Sequence, residues 1–229
     1  MPSQEKAPSM SMSENREAEF LARITTGTTH EIRNVLAIVQ ESAGLIEDMV
    51  RSYEKTGALK PDRLIRSVER IAAQVSRGSD LMSTLNRFAH SLDNEQERID
   101  LDLEAKQVAL LCGRMARQKG HLIQVRRKGD DVMFTINRLQ LEMALFAGVE
   151  VCLEQLPQPG TVVMHSGRVR DIPTVDFAAE VGVGVALPAP TEASGWTQVV
   201  EFLNNMGATV ETENVESHFR ISFPFAAAK

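Results

Sequence analysis

Two long runs of helical periodicity, joined by the short segment Tyr53–Lys60, limit what this chain can fold into more than any other feature. The first run places apolar residues at Phe20/Leu21, Ile24, Thr28, Ile32, Val35/Leu36, Val39, Ala43, Ile46 and Met49/Val50. That spacing predicts a helix from about Glu14 to Ser52, roughly 58 Å long at 1.5 Å per residue. The second run carries Leu64/Ile65, Val68, Ile71/Ala72, Val75, Gly78/Ser79, Leu81/Met82, Leu85, Phe88/Ala89 and Leu92. Gly57 supplies the turn and Pro61 opens the second helix, because its missing N–H is an orphan in the first turn anyway. A connection this short makes the two helices an antiparallel hairpin. A hairpin alone cannot bury two wide apolar stripes, so a homodimer that completes a four-helix bundle is expected. Burial of the stripes against the rest of the same chain is disfavoured by the length of both helices.

Composition sets the frame. With 229 residues, a net charge of −6 and 43% hydrophobic content, the chain has room for one large domain or two small ones, and two is the better fit. No stretch of eighteen apolar residues occurs, and the leading MPSQEKAPSMSMSEN lacks a continuous apolar core, so a cytoplasmic chain with no membrane partner is expected. The acidity is spread along the sequence and offers no broad basic surface, which argues against nucleic acid and anionic lipid as partners. Cys112 and Cys152 fall on the apolar sides of helical patterns with no second ligand nearby, and are expected to be reduced core thiols.

From Arg98 the period changes to short β-branched or alternating runs interleaved with shorter helices, which predicts an α/β sandwich. Strands are expected at Glu97–Leu101, Leu122–Arg126, Val132–Phe134, Thr161–His165 and Thr174–Glu180, with a terminal hairpin of Ala208–Glu213 and His218–Phe225. Helices are expected at Leu103–Lys119, stopped by Gly120; at Asn137–Leu156, capped by Asn137; and at Ser194–Met206, capped by Ser194 and closed by Gly207. The organisation is thus a polar tail over 1–13, a helical-hairpin dimerisation domain over 14–95 and an α/β domain over 96–229.

The first helix also carries the strongest chemical signal, the run Thr29-His30-Glu31-Ile32-Arg33-Asn34. At about 100° per residue, His30 lies roughly 200° from Thr28 and so points away from the packed face. Asn34 stands one turn on and Glu31 flanks it, so both are expected within reach of the ring. The run, followed by Val35, Leu36, Ala37 and Ile38, resembles the H-box of bacterial two-component histidine kinases, with Val35 where that family has proline. The resemblance implies that His30 is a phosphoacceptor. The stretch GWTQVVEFLNNMGATVETENVESHFRISFPF looks like the end of the kinase ATP-binding domain, so the resemblance spans nearly all of residues 14 to 225.

The departures from that family matter as much. Kinases hold magnesium and phosphates through asparagines on the helix matching Asn137–Leu156, since a hard cation needs oxygen ligands. Here the inner stretch MALFAGVEVCL offers Glu150 alone. The family's Asp-x-Gly-x-Gly box, whose carboxylate reads adenine, is reduced to Asp176 followed by Phe177, Ala178 and Ala179. Gly182-Val183-Gly184-Val185-Ala186-Leu187 resembles a second glycine box, but Pro188 and Pro190 follow it and no phosphate-binding helix opens there. No cofactor is therefore expected on this chain: ATP is not, and magnesium would come with a partner.

These readings together imply a histidine phosphotransfer protein of a phosphorelay, exchanging a phosphoryl group between His30 and the aspartate of a response-regulator receiver domain. A neutral imidazole is a competent nucleophile towards phosphorus, and alignment plus charge compensation does the rest. Glu31 would fix the ring tautomer, and Arg23 and Arg33 would offset phosphate charge or meet an acidic receiver; ordinary solvated helix arginines are the plain alternative. In the family the Glu31-x-x-Asn34 pattern is associated with receiver dephosphorylation, where the amide orients water. Two alternatives stay open: a divergent ATP-dependent kinase, and a non-catalytic dimeric scaffold that binds a receiver or a kinase. His90, His121, His165 and His218 show no metal-ligand spacing, and Trp196 is expected to anchor a helix on the sheet.

Overall fold

The computed structural model describes residues 12–90, 96–182, 188–213 and 218–224. The order of elements is α1 (Met12–Thr56), α2 (Pro61–His90), β1 (Glu97–Asp100), α3 (Leu101–Gln118), β2 (His121–Arg127), β3 (Met133–Ile136), α4 (Arg138–Gln155), β4 (Gly160–Val169), β5 (Ile172–Glu180), a 3-10 turn at Pro190–Glu192, α5 (Trp196–Asn205), β6 (Thr209–Glu211) and β7 (Phe219–Ser222). The chain divides into two compact units: Thr26–Asp93, and the remainder, to which α1 contributes its residues up to Thr25.

In the first unit, α1 and α2 form the antiparallel hairpin, and the structure separates the broad apolar stripe into two neighbouring seams. The inner seam is buried and surprisingly polar: Thr28, Glu31, Val35 and Ser42 on α1 face Ser67, Leu81, Thr84 and Phe88 on α2. These positions alternate in steps of three and four, the spacing of helices that pack at a shallow angle. Gly78 lets the helices approach, since a Cβ there would stand 3.1 Å from Cγ1 of Val35. The outer seam, one residue further round each helix, keeps Leu36, Val50, Ile65, Val68, Val75 and Met82 at 46–61% exposure.

The second unit is an α/β layer structure. Its five-stranded sheet has the order β2-β4-β5-β7-β6, with β2 parallel to β4 and every other neighbour antiparallel. A separate antiparallel ribbon pairs β1 with β3, Glu97 opposite Ile136 and Asp100 opposite Met133. Asp100 caps α3 by accepting from the backbone N–H of Asp102 at 2.9 Å and of Leu103 at 3.3 Å, which starts that helix before the expected Leu103. Asn137 caps α4 as its position suggested, accepting from the N–H of Gln140 at 3.0 Å. Helix α4 is apolar on almost every side and buries Leu141, Ala144, Leu145, Val149 and Cys152 completely. Gly148 sits so close to the sheet that a Cβ there would meet the Phe177 ring at 2.4 Å.

Some sequence expectations are corrected. α5 begins at Trp196 with Gly195, not Ser194, at its N-cap and no side-chain cap bond; the Ser194 N–H instead donates to Glu154 Oε1 at 2.9 Å. β4 runs on to Val169, beyond the expected His165, because antiparallel pairing with β5 continues through Val169 and Ile172. The glycine run at 183–187, most of the tail and the expected strand end at Phe225 lie outside the described residues. Cys112 and Cys152 are free and buried, and burial pushes both thiols far up from their ordinary pKa, as expected of inert core residues.

Close packing makes a direct prediction. Gly148→Ala should lower stability by about 2–3 kcal/mol, because α4 must lift from Phe177. Gly44→Ala, in open space on α1, should raise it by about 0.5–1 kcal/mol. Urea denaturation of both variants would check the contrast.

Candidate functional site

His30 lies on the solvent side of the hairpin, exposed together with Thr29, Arg33 and Asn34, while Thr28 beneath it is only 2% exposed. Helical phase accounts for this: Thr28 and Val35 take the inner seam, and His30 and Asn34 are left on one open face a turn apart. The expectation that Glu31 shares that face is corrected. The residue is 7% exposed, its carboxylate turned into the seam, where Arg77 of α2 donates to it. Sequence periodicity had placed Ile32 in the packed stripe between Thr28 and Val35; the structure buries Glu31 there instead, paired with Arg77. Ile32 lies half-buried at the edge of the outer seam.

Arg23 belongs to the α/β unit, where it forms ion pairs with Glu150 of α4 and, at 3.5 Å, with Glu19. Nearby, Phe20 meets Phe146 edge-on at 5.1 Å, and the Arg16 guanidinium lies 5.6 Å over the Phe202 ring. These side chains border a cleft of about 320 Å³ between α4 and α5, floored by Met143, Phe146, Val199 and Phe202. Burial pushes the Glu150 carboxyl up from its ordinary range, partly offset by Arg23. On the lining face of α4 Glu150 is the one carboxylate, and it already has its cation.

Asp176 is 4% exposed and fully engaged. Arg220 of β7 reaches it with Nε at 2.5 Å and Nη2 at 3.3 Å, one nitrogen to each oxygen, and Lys128 Nζ adds a third contact at 3.1 Å. Burial alone would raise its pKa; the hydrogen bonds from Arg220 and Lys128 outweigh burial and hold it below the ordinary value. A second buried carboxylate, Asp102, accepts from Ser166 Oγ at 2.9 Å and Arg127 Nη2 at 3.0 Å and pairs with Lys106 at 2.6 Å. Burial again opposes ionisation there, and the bonds from Lys106, Ser166 and Arg127 win. Beside Asp176 in sequence, Phe177 stacks on Phe219 at 4.8 Å and Trp196 meets Phe219 edge-on at 5.4 Å, which makes Trp196 the anchor expected of it.

Sequence reasoning missed Arg77, Lys128 and Arg220. Arg77 was legible, since it continues the three-four spacing from Ser67 and Gln74 to Leu81 and Thr84. Arg220, between Phe219 and Ile221 on a strand, points away from the apolar face and so towards Asp176 opposite in register. Lys128 carries no such signal, because it lies in the turn after β2.

No family model matches the chain. Nor does any curated protein. Among solved structures it is similar to the Acinetobacter baumannii histidine kinase AdeS, at 18% identity over 84% of this chain and 96% of that one, with a TM-score of 0.42. It is similar to a bacterial phosphotransferase at 12% identity, over 94% and 98% of the two chains, TM-score 0.42. It is also similar to the histidine kinase ThkA in complex with the response regulator TrrA, at 18% identity over 92% and 64%, TM-score 0.43.

The two depressed carboxylates make the α/β unit sensitive to acid with a defined sign. Because both folded values are lowered from the ordinary carboxylate range, the stabilisation is present above the unfolded carboxylate pKa and is lost as pH falls through the folded one. Urea midpoints should therefore fall steeply below about pH 4. Asp176→Asn should cost about 2 kcal/mol at neutral pH and flatten that acid limb.

Proposed function

We propose that this chain is a dimeric histidine phosphotransfer protein: His30 accepts a phosphoryl group from, and returns it to, the aspartate of a response-regulator receiver domain, and the α/β unit holds no nucleotide. The observation that carries this reading is Asp176. A carboxylate at the position that would read adenine is closed by Arg220 and Lys128, whereas the imidazole of His30 is open to solvent. An open nucleophile beside a closed nucleotide position suits a donor that arrives with the partner. The receiver's own aspartate and magnesium would then supply alignment and charge compensation.

On this reading, His30 attacks phosphorus through one ring nitrogen while the other keeps its proton. Arg33, exposed on the same helix, is available to an acidic receiver, and the exposed Asn34 would orient a water for a different reaction, hydrolytic dephosphorylation of the receiver. Arg23 is already paired with Glu150 and Glu19, which favours a structural part for it over partner contact. The exposed outer seam supports the homodimer, since six large apolar side chains along two helices are more than an isolated surface normally leaves in water.

Three measurements test this. His30→Ala should abolish phosphoryl uptake from a phosphorylated receiver, and equal uptake by that variant would remove the proposal. Calorimetry with magnesium and ATP or ADP should give no heat up to millimolar nucleotide; saturable micromolar binding would return the protein to the kinases. Val75→Asp, at the middle of the outer seam, should convert the dimer to a monomer in light scattering.

A further inference from the structure

The Glu31–Arg77 pair has a consequence for the reaction proposed above, and this inference rests on His30 being the phosphoacceptor. Glu31 follows His30 in the chain, so a free carboxylate there would stand on the flank by which a phosphoryl group arrives. The structure turns it inward instead, to 7% exposure, with Arg77 bonded to it across the hairpin. The side chain of Arg77 is 37% exposed, so it reaches from the rim of the seam to the buried acid. Its position is fixed by the next residue, because Gly78 brings α2 against Val35, whose Cγ1 would lie 3.1 Å from any Cβ there. We propose that Arg77 is a positioning residue for His30: it withdraws and neutralises the Glu31 carboxylate, so that an anionic phosphoryl donor meets no negative charge beside the ring.

The inference can be tested without knowing the partner, using phosphoramidate as donor. The ring nitrogen of His30 forms a bond to phosphorus as the P–N bond of phosphoramidate breaks, and the departing ammonia takes up the proton released by the ring. Phosphate on the protein is followed by intact mass, at several donor concentrations and at about 20 and 500 mM salt. With Arg77→Gln the half-saturating donor concentration should rise about fivefold at low salt, with the limiting rate little changed. The deficit should shrink at high salt, and the Arg77→Gln/Glu31→Gln pair should restore the wild-type value. A purely structural role would instead lower the limiting rate or the melting temperature with no dependence on salt, and that outcome, or unchanged uptake, overturns the assignment. His30→Ala separates the two layers of the argument. If it takes up phosphate as the wild type does, the phosphoacceptor reading fails. If it is blank while Arg77→Gln behaves as wild type, only the role of Arg77 fails.

Discussion

A helix in a hairpin can turn only one face towards its partner, and in this protein both helices carry two. That constraint governs the arrangement of Thr26–Asp93. The seam that closes the hairpin contains Thr28, Glu31, Ser42, Ser67 and Thr84, whereas the large aliphatic residues Leu36, Ile65, Val68 and Val75 lie on the seam left open. The usual ordering, apolar within and polar without, is thus inverted in the hairpin taken by itself. Ser42 is fully buried with its hydroxyl unpartnered, and Thr28 is nearly so, a loss the hairpin sustains where Val35, Leu81 and Phe88 provide the packing.

The α/β unit uses its charged residues differently. Asp102 and Asp176 are both buried, and both are held by two or more donors from other elements: Asp102 ties the start of α3 to β2 and β4, and Asp176 ties β5 to β7 and to the residue after β2. These contacts act as cross-braces in a sheet whose parallel pair, β2 with β4, has no hairpin to set its register. With Phe177 stacked on Phe219 and pressed against Gly148, the region around Asp176 is packed as a core.

Much of this was legible in the sequence, for identifiable reasons. Long helices announce themselves through many repeats of one period, and α1 and α2 were found with Pro61 at the right place. Asn137 was read as a cap because capping is a local bond between a side chain and a backbone N–H three residues away. Ser194 was misread by the same rule: the helix starts one residue later, with Gly195 at its N-cap, and the Ser194 N–H is bonded to Glu154, forty residues earlier in the chain. The inward turn of Glu31 and the closure of Asp176 were invisible for that reason too: each depends on an arginine that only tertiary structure brings near. His30 was placed correctly on the open face because its exposure needs nothing beyond helical phase.

The engagement of Asp176 also bears on how this unit could change. Freeing that carboxylate for any ligand requires Arg220 and Lys128 to go, and Arg220 also pairs with Glu211 at 3.6 Å. Removing one cation leaves a buried acid half-compensated; removing the acid leaves an arginine without its fork. Either single step therefore costs stability relative to the present arrangement. A designer who wished to free this carboxylate would have to alter β5, β7 and the turn after β2 together, since each single substitution leaves a charge without its partner.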